Sequence, residues 1–356
     1  MLNASPLARS TSSRRQSALL LLGACAIVTM IDSAAVVDAQ DCKEMRKINI
    51  GVSVTPPNVV HTTPFVAQAL GLFAKRCIEA NIIQFEGSGS PAAKAAIAQG
   101  MAITNLSDIA VGRGVKAQQF WGVVPRLSPV YAVGANIKTA ADLKGKKLSA
   151  AGGGVGGFQW RMGREVLKTA GLSPDDVQFV AQGTAGRVPG IVGGQVDAVS
   201  LHPEDFHLAV QKNPAIHALV DLAKLLPNFV YIAYGAQSAW IARDRALLRD
   251  TAAAMIEANR IMYRDKDKVI PIMVEATNRP KEAVEFAWEV LTRNCVWGVN
   301  EGFNPERTTW TVDYDASFGD LDAAHKPTFE QVVNMSLATE AVEAAGGRVT
   351  IGNCTE

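Results

Sequence analysis

The glycine run Gly152-Gly153-Gly154-Val155-Gly156-Gly157 satisfies G-x-G-x-x-G and lies between a short strand pattern and a helical one, the placement a dinucleotide-binding turn requires. Such a site also needs an acidic side chain closing the second strand to hold a ribose hydroxyl, and Ala181-Gln182 stand there instead. The run is therefore read as a loop that lets a ligand approach the backbone, with no nucleotide cofactor. His202-Pro203-Glu204-Asp205-Phe206-His207 is the one dense cluster of metal-capable side chains, but its i, i+5 spacing at a helix start turns the two histidines onto different faces. The acidic pair reads as first-turn charge favoured by the helix dipole, so no metal is expected. G-x-S-x-G, H-E-x-x-H and closely spaced cysteine pairs do not occur, which removes the usual serine-hydrolase, zincin and zinc-ribbon motifs. His61 remains, either bonding a ligand or facing solvent, with Phe158 and Trp160 lining a pocket or packing in a core, and Arg161 read as facing solvent.

The residues around these loops must form the elements that place them. Residues 47–52 alternate as a strand does, 64–76 carry helical spacing, a second strand falls at 82–85, an Ala-rich helix ends at Gly100 and a third strand lies at 101–104. The plan returns as a strand at 146–149, a helix over 158–170, a strand at 177–180, a helix to Gly194 and a strand at 196–201. Placing Gly89-Ser90 over Gly183-Thr184 puts Ile97 on Ile191 and Gly100 on Gly194 without a gap, so the two stretches read as equivalent units of two lobes. Residues 229–243 read as one long extended segment, followed by helical patterns at 246–263, 268–276 and 281–293. Strand-helix-strand units predict parallel sheets with helices on their faces, and ligands bind such sheets at the carboxyl ends of the strands. Loops 55–63, 87–90, 152–158 and 200–204 occupy those ends and are expected to converge on one cleft. The predicted ligand set is Thr55, His61, Gly87, Ser88, Ser90, Gly154, Val155, Gly156, Gly157, Phe158, Ser200 and His202. Hydroxyls and free helix-start N–H groups favour a small anion or a polar head group.

Composition agrees with a folded, exported chain. With 356 residues, 48% of them hydrophobic, the chain can bury a full core, and a net charge of +1 leaves no broad basic face for nucleic acid. Arg9, Arg14 and Arg15 precede an apolar run at 18–31 and then Val37-Asp38-Ala39, the order of a secretory signal peptide cleaved after Ala39. The run is shorter than the roughly 20 residues a bilayer span requires. The uncharged stretch 225–242 is broken by Pro227, Asn228, Gly235 and Gln237, so the mature chain is expected to be soluble. Leu22-Gly23-Ala24-Cys25 has the form of a lipoprotein box, but the apolar core continues through Ala26, Ile27 and Val28, and signal cleavage is preferred. Four cysteines remain in an oxidising compartment, an even number for two bridges. Cys42 is expected to join Cys77, since one precedes the first strand and the other follows the first helix; Cys295 with Cys354 then follows by elimination.

Together these motifs resemble the solute-binding proteins of ABC importers, in the branch that serves nitrate, sulfonates, taurine and thiamine-pyrimidine precursors. The matching stretches are Pro64-Phe65-Val66-Ala67 with Gly71-Leu72-Phe73, Gly87-Ser88-Gly89, Thr139-Ala140-Ala141-Asp142-Leu143-Lys144-Gly145-Lys146-Lys147, the run at 152–157, Ala170-Gly171-Leu172 and Gly194-Gln195-Val196-Asp197-Ala198. The resemblance covers residues 47–265. It implies an α/β, two-lobed periplasmic binding protein fold of type II-like form, each lobe a mostly parallel sheet flanked by helices, joined by a two-stranded hinge. Its divisions would be a signal peptide at 1–39, the first part of lobe 1 at 40–135, lobe 2 at 136–235, and a return to lobe 1 with a C-terminal helical extension at 236–356. It implies a periplasmic, non-enzymatic monomer without cofactor that captures a small organic solute, such as a sulfonate or aromatic carboxylate, and delivers it to an inner-membrane permease. The rivals are an exported enzyme on the same scaffold using His61 or His202, and the ligand-sensing subunit of a receptor. Two departures leave the solute open between sulfonate, aromatic carboxylate and neutral pyrimidine. Gly100-Met101-Ala102-Ile103-Thr104 stands where such proteins carry Gly-x-Ala-Asp, and the tail from Asn294, with Trp297 and Trp310, follows no part of the pattern.

Overall fold

The computed structural model describes residues 42–87 and 90–356. The signal segment, its cleavage site and the box at Cys25 lie outside the described residues, as does Ser88. Strand β1 (Arg46–Val52) turns Ile48, Ile50 and Val52 inward, one face of the period-2 alternation. Helix α1 (Thr63–Ala69) carries Pro64 in its first turn, where a missing N–H leaves no bond unmade, and buries Val66 and Ala67. It returns the chain to β2 (Ile78–Gln84), which pairs parallel with β1 from Arg46 opposite Ile78 to Val52 opposite Gln84. This strand begins earlier than the one expected at 82–85, because Cys77, with φ 54°, ends the preceding turn and feeds the chain directly into it. Helix α2 (Pro91–Ala98) is capped by Ser90, whose Oγ accepts from the Ala93 N–H at 3.2 Å. Ile103 bridges Ile50 as a parallel neighbour and leads into β3 (Thr104–Asn105) and α3 (Asp108–Gly112).

Strands β4 (Ala117–Val124) and β5 (Val130–Val133) follow with no helix between them. The expected alternation then resumes as β6 (Lys147–Ser149), α4 (Phe158–Lys168), β7 (Gln178–Val180), α5 (Arg187–Val192), β8 (Ala198–Leu201) and α6 (Pro203–Lys212). After β9 (His217–Asp221) and α7 (Leu222–Leu225) comes β10 (Ile232–Gln237). The sheets are mixed, which corrects the expectation of mostly parallel ones. In the order β7-β6-β8-β5-β9, strands β7, β6 and β8 are parallel, but β5 runs antiparallel to both β8 and β9. In the order β3-β10-β4, β10 is antiparallel to both neighbours, while β1 and β2 pair parallel beside them. The unexpected strands β4, β5 and β9 lack the strand, glycine loop and helix punctuation that betrays a βαβ unit, and β4 is an almost continuously buried run with no alternation to read.

The segment expected to stay extended over 229–243 leaves β10 at Gln237 and winds into α8 (Ser238–Arg243), burying Trp240 and Ile241. Then come α9 (Arg245–Arg264), α10 (Lys266–Thr277), α11 (Lys281–Arg293), α12 (Pro305–Ser317), α13 (Phe329–Val332) and α14 (Met335–Ala344). One core joins β1, β4 and β10 to α9, α10, α11 and α14 through side chains such as Ile50, Trp121, Met255, Met273, Leu291 and Leu337. The five-stranded sheet has a core on each face. Leu148, Met162 and Val166 fill one, which also takes Tyr314 from α12; Val199, Leu201 and Ile191 fill the other. Both expected disulfides are present, Cys42–Cys77 with Cα atoms 5.6 Å apart and Cys295–Cys354 at 5.1 Å. Among the described residues no helix is long and apolar enough to cross a membrane.

Candidate functional site

A cavity of about 590 Å³ opens where the loops following β1, β2, β6 and β8 meet. The first loop contributes Asn58 and His61, the second Gly87, the third Gly156, Gly157 and Phe158, and the fourth His202. Of the expected ligand set, His61, Gly87, Gly156, Gly157, Phe158 and His202 line this space. Thr55 and Gly154 are not on its wall, Val155 points to solvent, and Ser90 spends its hydroxyl on the α2 cap. Ser200 lies behind the wall, its N–H donating to Gln159 Oε1 at 2.9 Å and its carbonyl accepting from Gln159 Nε2 at 2.8 Å. The two glycine loops touch. A Cβ on Gly87, whose φ is +94°, would sit 2.6 Å from the Gly152 carbonyl oxygen, so only glycine permits the approach.

An aromatic cluster floors the cavity. His202 Nε2 lies 3.0 Å from the Tyr231 hydroxyl and its Nδ1 lies 3.3 Å from Ser128 Oγ, while the His61 ring stands edge-on to it with centroids 5.6 Å apart. Phe158 packs on Tyr231 at 4.9 Å. Burial, reinforced by the Arg187 charge, drives the His61 pKa down to about 3. Burial, with His61 and Arg187 adding to it, holds His202 well below its ordinary value. Both imidazoles are therefore neutral at pH 7, and His61 Nδ1 has no partner among the described residues. His61 is buried, which settles its solvent-facing alternative. Tyr231 was absent from the expected set because it stands in the stretch read as a plain strand, where an aromatic residue signals packing and not a site.

The acidic pair of the His202–His207 cluster stands in the first turn of α6, as expected, and does more than complement the helix dipole. Glu204 and Asp205 are both buried and tie the β1 loop to α6. Asn58 Nδ2 donates to Glu204 Oε1 at 2.6 Å and to Asp205 Oδ2 at 3.0 Å, and the Val59 N–H donates to Glu204 Oε1 at 3.1 Å. Arg187 donates to Asn58 Oδ1 at 2.7 Å and Asp205 Oδ2 at 3.1 Å, and Arg279 donates to Asp205 Oδ1 at 2.8 Å. Burial, with the neighbouring Asp205 charge, raises the Glu204 pKa to about 7. His207 is turned away and stacks on Phe286 at 4.7 Å. A second tie runs from the Glu86 carboxylate to the Thr184 N–H.

Arg161 also departs from its solvent-facing reading. Its side chain is 11% exposed, pairs with Asp315 on α12 and lies 5.5 Å from the Phe229 ring centroid. Trp160 is not on the wall and packs on Phe179 at 5.9 Å. The far end of the cavity is built by Asp108, Gln119, Thr308 and Thr311. The last two come from α12, part of the tail that no motif explained. The lining combines apolar rings and the neutral imidazoles of His61 and His202 with the guanidinium groups of Arg187 and Arg161 and the carboxyl groups of Asp108 and Asp320, suited to a small organic molecule with polar ends.

Comparison with known proteins agrees with this architecture. A Haemophilus influenzae protein whose name assigns it to thiamine biosynthesis is 32% identical over 162 residues, 44% of this chain, and the chain spans about half of that relative, 49%. The periplasmic aliphatic sulphonate-binding protein of Escherichia coli superposes with a TM-score of 0.62 at 19% identity, covering 82% of this chain and 92% of that one. The periplasmic nitrate-binding protein of Synechocystis PCC 6803 gives 0.65 at 13% identity, covering 85% and 89%. A desulfurization enzyme shares the fold as well, at 0.56 and 14% identity, covering 83% and 99%. These likenesses establish the α/β periplasmic binding protein fold. The family model described as NMT1/THI5 like matches residues 58–268, from Asn58 in the first cavity loop to the start of α10, and over that majority of its length the chain belongs to the NMT1/THI5-like family.

Proposed function

We propose that this protein is the extracytoplasmic solute-binding component of an ABC-type importer, and that it captures a small organic solute in the cavity and presents it to an inner-membrane permease. The observation that carries this reading is a wall made from both sheet systems, with Gly87 against Gly152, Glu86 on Thr184 and Asn58 on Glu204 and Asp205 across it. In this reading the chain through β4 and from β10 onward forms one lobe and β5 through α7 the other, which moves the expected boundaries at 135 and 235 back to the crossings on either side of β5–α7. The crossings between β4 and β5 and before β10 act as the hinge. Solute contacts from both lobes favour the closed form, and only this difference in affinity moves the equilibrium. An anionic group of the solute, sulfonate or carboxylate, is assigned to the end bearing Arg187, Gly156 and Gly157, where the guanidinium and helix-start N–H groups offer donors. Two disulfides support export to an oxidising compartment.

The enzyme reading keeps one specific support, a desulfurization enzyme on the same fold, and its candidate groups are the neutral imidazoles of His61 and His202. Calorimetric titration with a panel of sulfonates and aromatic carboxylates, followed by mass spectrometry of the recovered solute, separates the two. One solute bound per chain and recovered unchanged supports the importer component. Conversion of the solute supports the enzyme, and no binding across the panel sinks the proposal.

A further inference from the structure

The far end of the cavity collects polar atoms that nothing among the described residues satisfies. Asp108 at the start of α3 is 7% exposed and its Oδ2 has no hydrogen-bond partner. Gln119 on β4 is 5% exposed; its Nε2 donates to the Leu106 carbonyl at 2.7 Å, which orients the amide and leaves Oε1 without a donor. Thr308 Oγ1, from α12, is likewise unpartnered. All three residues line the cavity. A carboxylate oxygen and an amide oxygen only accept, and a buried acceptor left unmatched costs about 1–3 kcal/mol, so this wall calls for a group rich in N–H donors. The buried guanidinium groups nearby are hydrogen-bonded to other carboxylates, although Arg161 also lines the cavity, keeps its Nε unpartnered among the described residues and acts on Asp108 through space. Arg161 pairs with Asp315, and Arg164 lies 3.2 Å from Asp320 and 3.3 Å from Glu165. Arg113 is exposed and donates to the Asp320 carbonyl at 2.9 Å, and Lys94 is exposed on α2. Among the described residues no guanidinium or ammonium is bonded to Asp108.

We propose that Asp108, with Gln119 and Thr308, forms a subsite for a cationic nitrogen of the solute, an ammonium or amidinium group. This rests on the solute-binding reading and narrows it: with an anionic group at the Arg187 end, the solute carries charges of both signs. An ammonium brings three donors to three acceptors and gives Asp108 a directly bonded counter-charge in place of one felt only through space from Arg161. The anionic end alone would leave Asp108 buried and unpaired beside the solute.

The test uses three ring-matched probes titrated calorimetrically into the processed full-length protein: 4-(aminomethyl)benzoate, 4-methylbenzylamine and 4-methylbenzoate. The ammonium-bearing probes are expected to bind, and Asp108→Asn to weaken them at least tenfold while 4-methylbenzoate changes less than twofold. Gln119→Leu, which removes the Oε1 acceptor together with the Nε2 bond to Leu106 at similar side-chain volume, is expected to weaken the ammonium probes severalfold, and thermal midpoints verify that both variants fold. Ammonium probes that bind Asp108→Asn as tightly as the parent overturn the subsite. Binding of 4-methylbenzoate alone also overturns it and leaves the solute-binding reading standing. Failure of all three to bind overturns the subsite, and the sulfonate and carboxylate panel then decides separately whether the broader reading survives.

Discussion

Glu204 shows how a single residue here carries two opposed requirements. Its Oε1 is used by Asn58 and Val59, its Oε2 is buried with no partner, and burial beside Asp205 raises its pKa to about 7. In the unfolded chain it titrates near 4.5. A folded-state value above the unfolded one means that the folded protein binds the extra proton, so this contribution is fully present below pH 4.5 and is lost as pH rises through about 7. Glu204→Gln keeps the oxygen acceptor and removes the charge, and is expected to flatten that loss, which denaturant titrations at pH 5 and pH 8 would detect. An unchanged difference between the two pH values would show that Glu204 is not responsible. His61 has the opposite sign. Its folded value near 3 lies below the 6.5 of the free side chain, so its contribution is present above pH 6.5 and drains away as pH falls toward 3. Replacing His61 with Gln should therefore reduce acid sensitivity in that window, measured by the same titrations.

At the scale of elements, the least forgiving place is a backbone crossing between β4 and the segment that follows α11. Gly122 N–H donates to the Glu301 carbonyl at 2.9 Å and Gly298 N–H to the Val123 carbonyl at 2.9 Å. A Cβ on Gly122 would overlap the Gly302 carbonyl, and one on Gly302, whose φ is +69°, would overlap the Gly122 carbonyl. The obstructing atoms are backbone on both sides and cannot rotate away. Gly122→Ala is expected to cost about 3 kcal/mol, the upper part of the usual overpacking range, read as a lowered urea midpoint. A midpoint equal to the parent's would mean that the crossing opens at little cost. The same segment is held from its far end by Cys295–Cys354 and by Asn300, whose Nδ2 donates to the carbonyls of Val349 and Thr355, each at 2.8 Å. Replacing both cysteines with serine should remove on the order of 2–4 kcal/mol, and the loss should vanish when parent and variant are compared under reducing conditions.

For the whole molecule, the contact of the β2 and β6 loops is where closure can be tested without knowing the solute. Gly87→Ala places a Cβ against the Gly152 carbonyl and should hold the two sheet systems apart. The expected outcome is a larger radius of gyration in solution scattering than the parent's, with a thermal midpoint lowered modestly by the strain of a side chain at φ +94°. Identical scattering curves would count against two moving lobes. The same geometry explains why the tail matters. Helix α12 supplies Tyr314 to the core of the five-stranded sheet, Asp315 to Arg161 and Thr308 to the cavity, so it braces one sheet system while walling the space between both.

Much of this was legible in the chain itself, because it depends on neighbours in sequence. The strand and helix of each βαβ unit, the glycine loops at strand ends and the family motifs of residues 47–265 are local patterns, and the pairing of Cys42 with Cys77 follows from their flanking one such unit. The convergence of His61, Gly87, Gly157 and His202 follows from the same rule, since loops at the carboxyl ends of neighbouring strands must open on one side. Tertiary structure alone decided the rest. Strands β4, β5 and β9 join by antiparallel pairing, which has no local punctuation, and so the sheets came out mixed. Asn58 and Glu204 are separated by 146 positions, and Arg161 and Asp315 by 154, so whether those charges face water or each other is settled only when distant segments pack. A charged side chain reads as solvated in sequence because burial is costly without a partner, and the partner is a property of the fold.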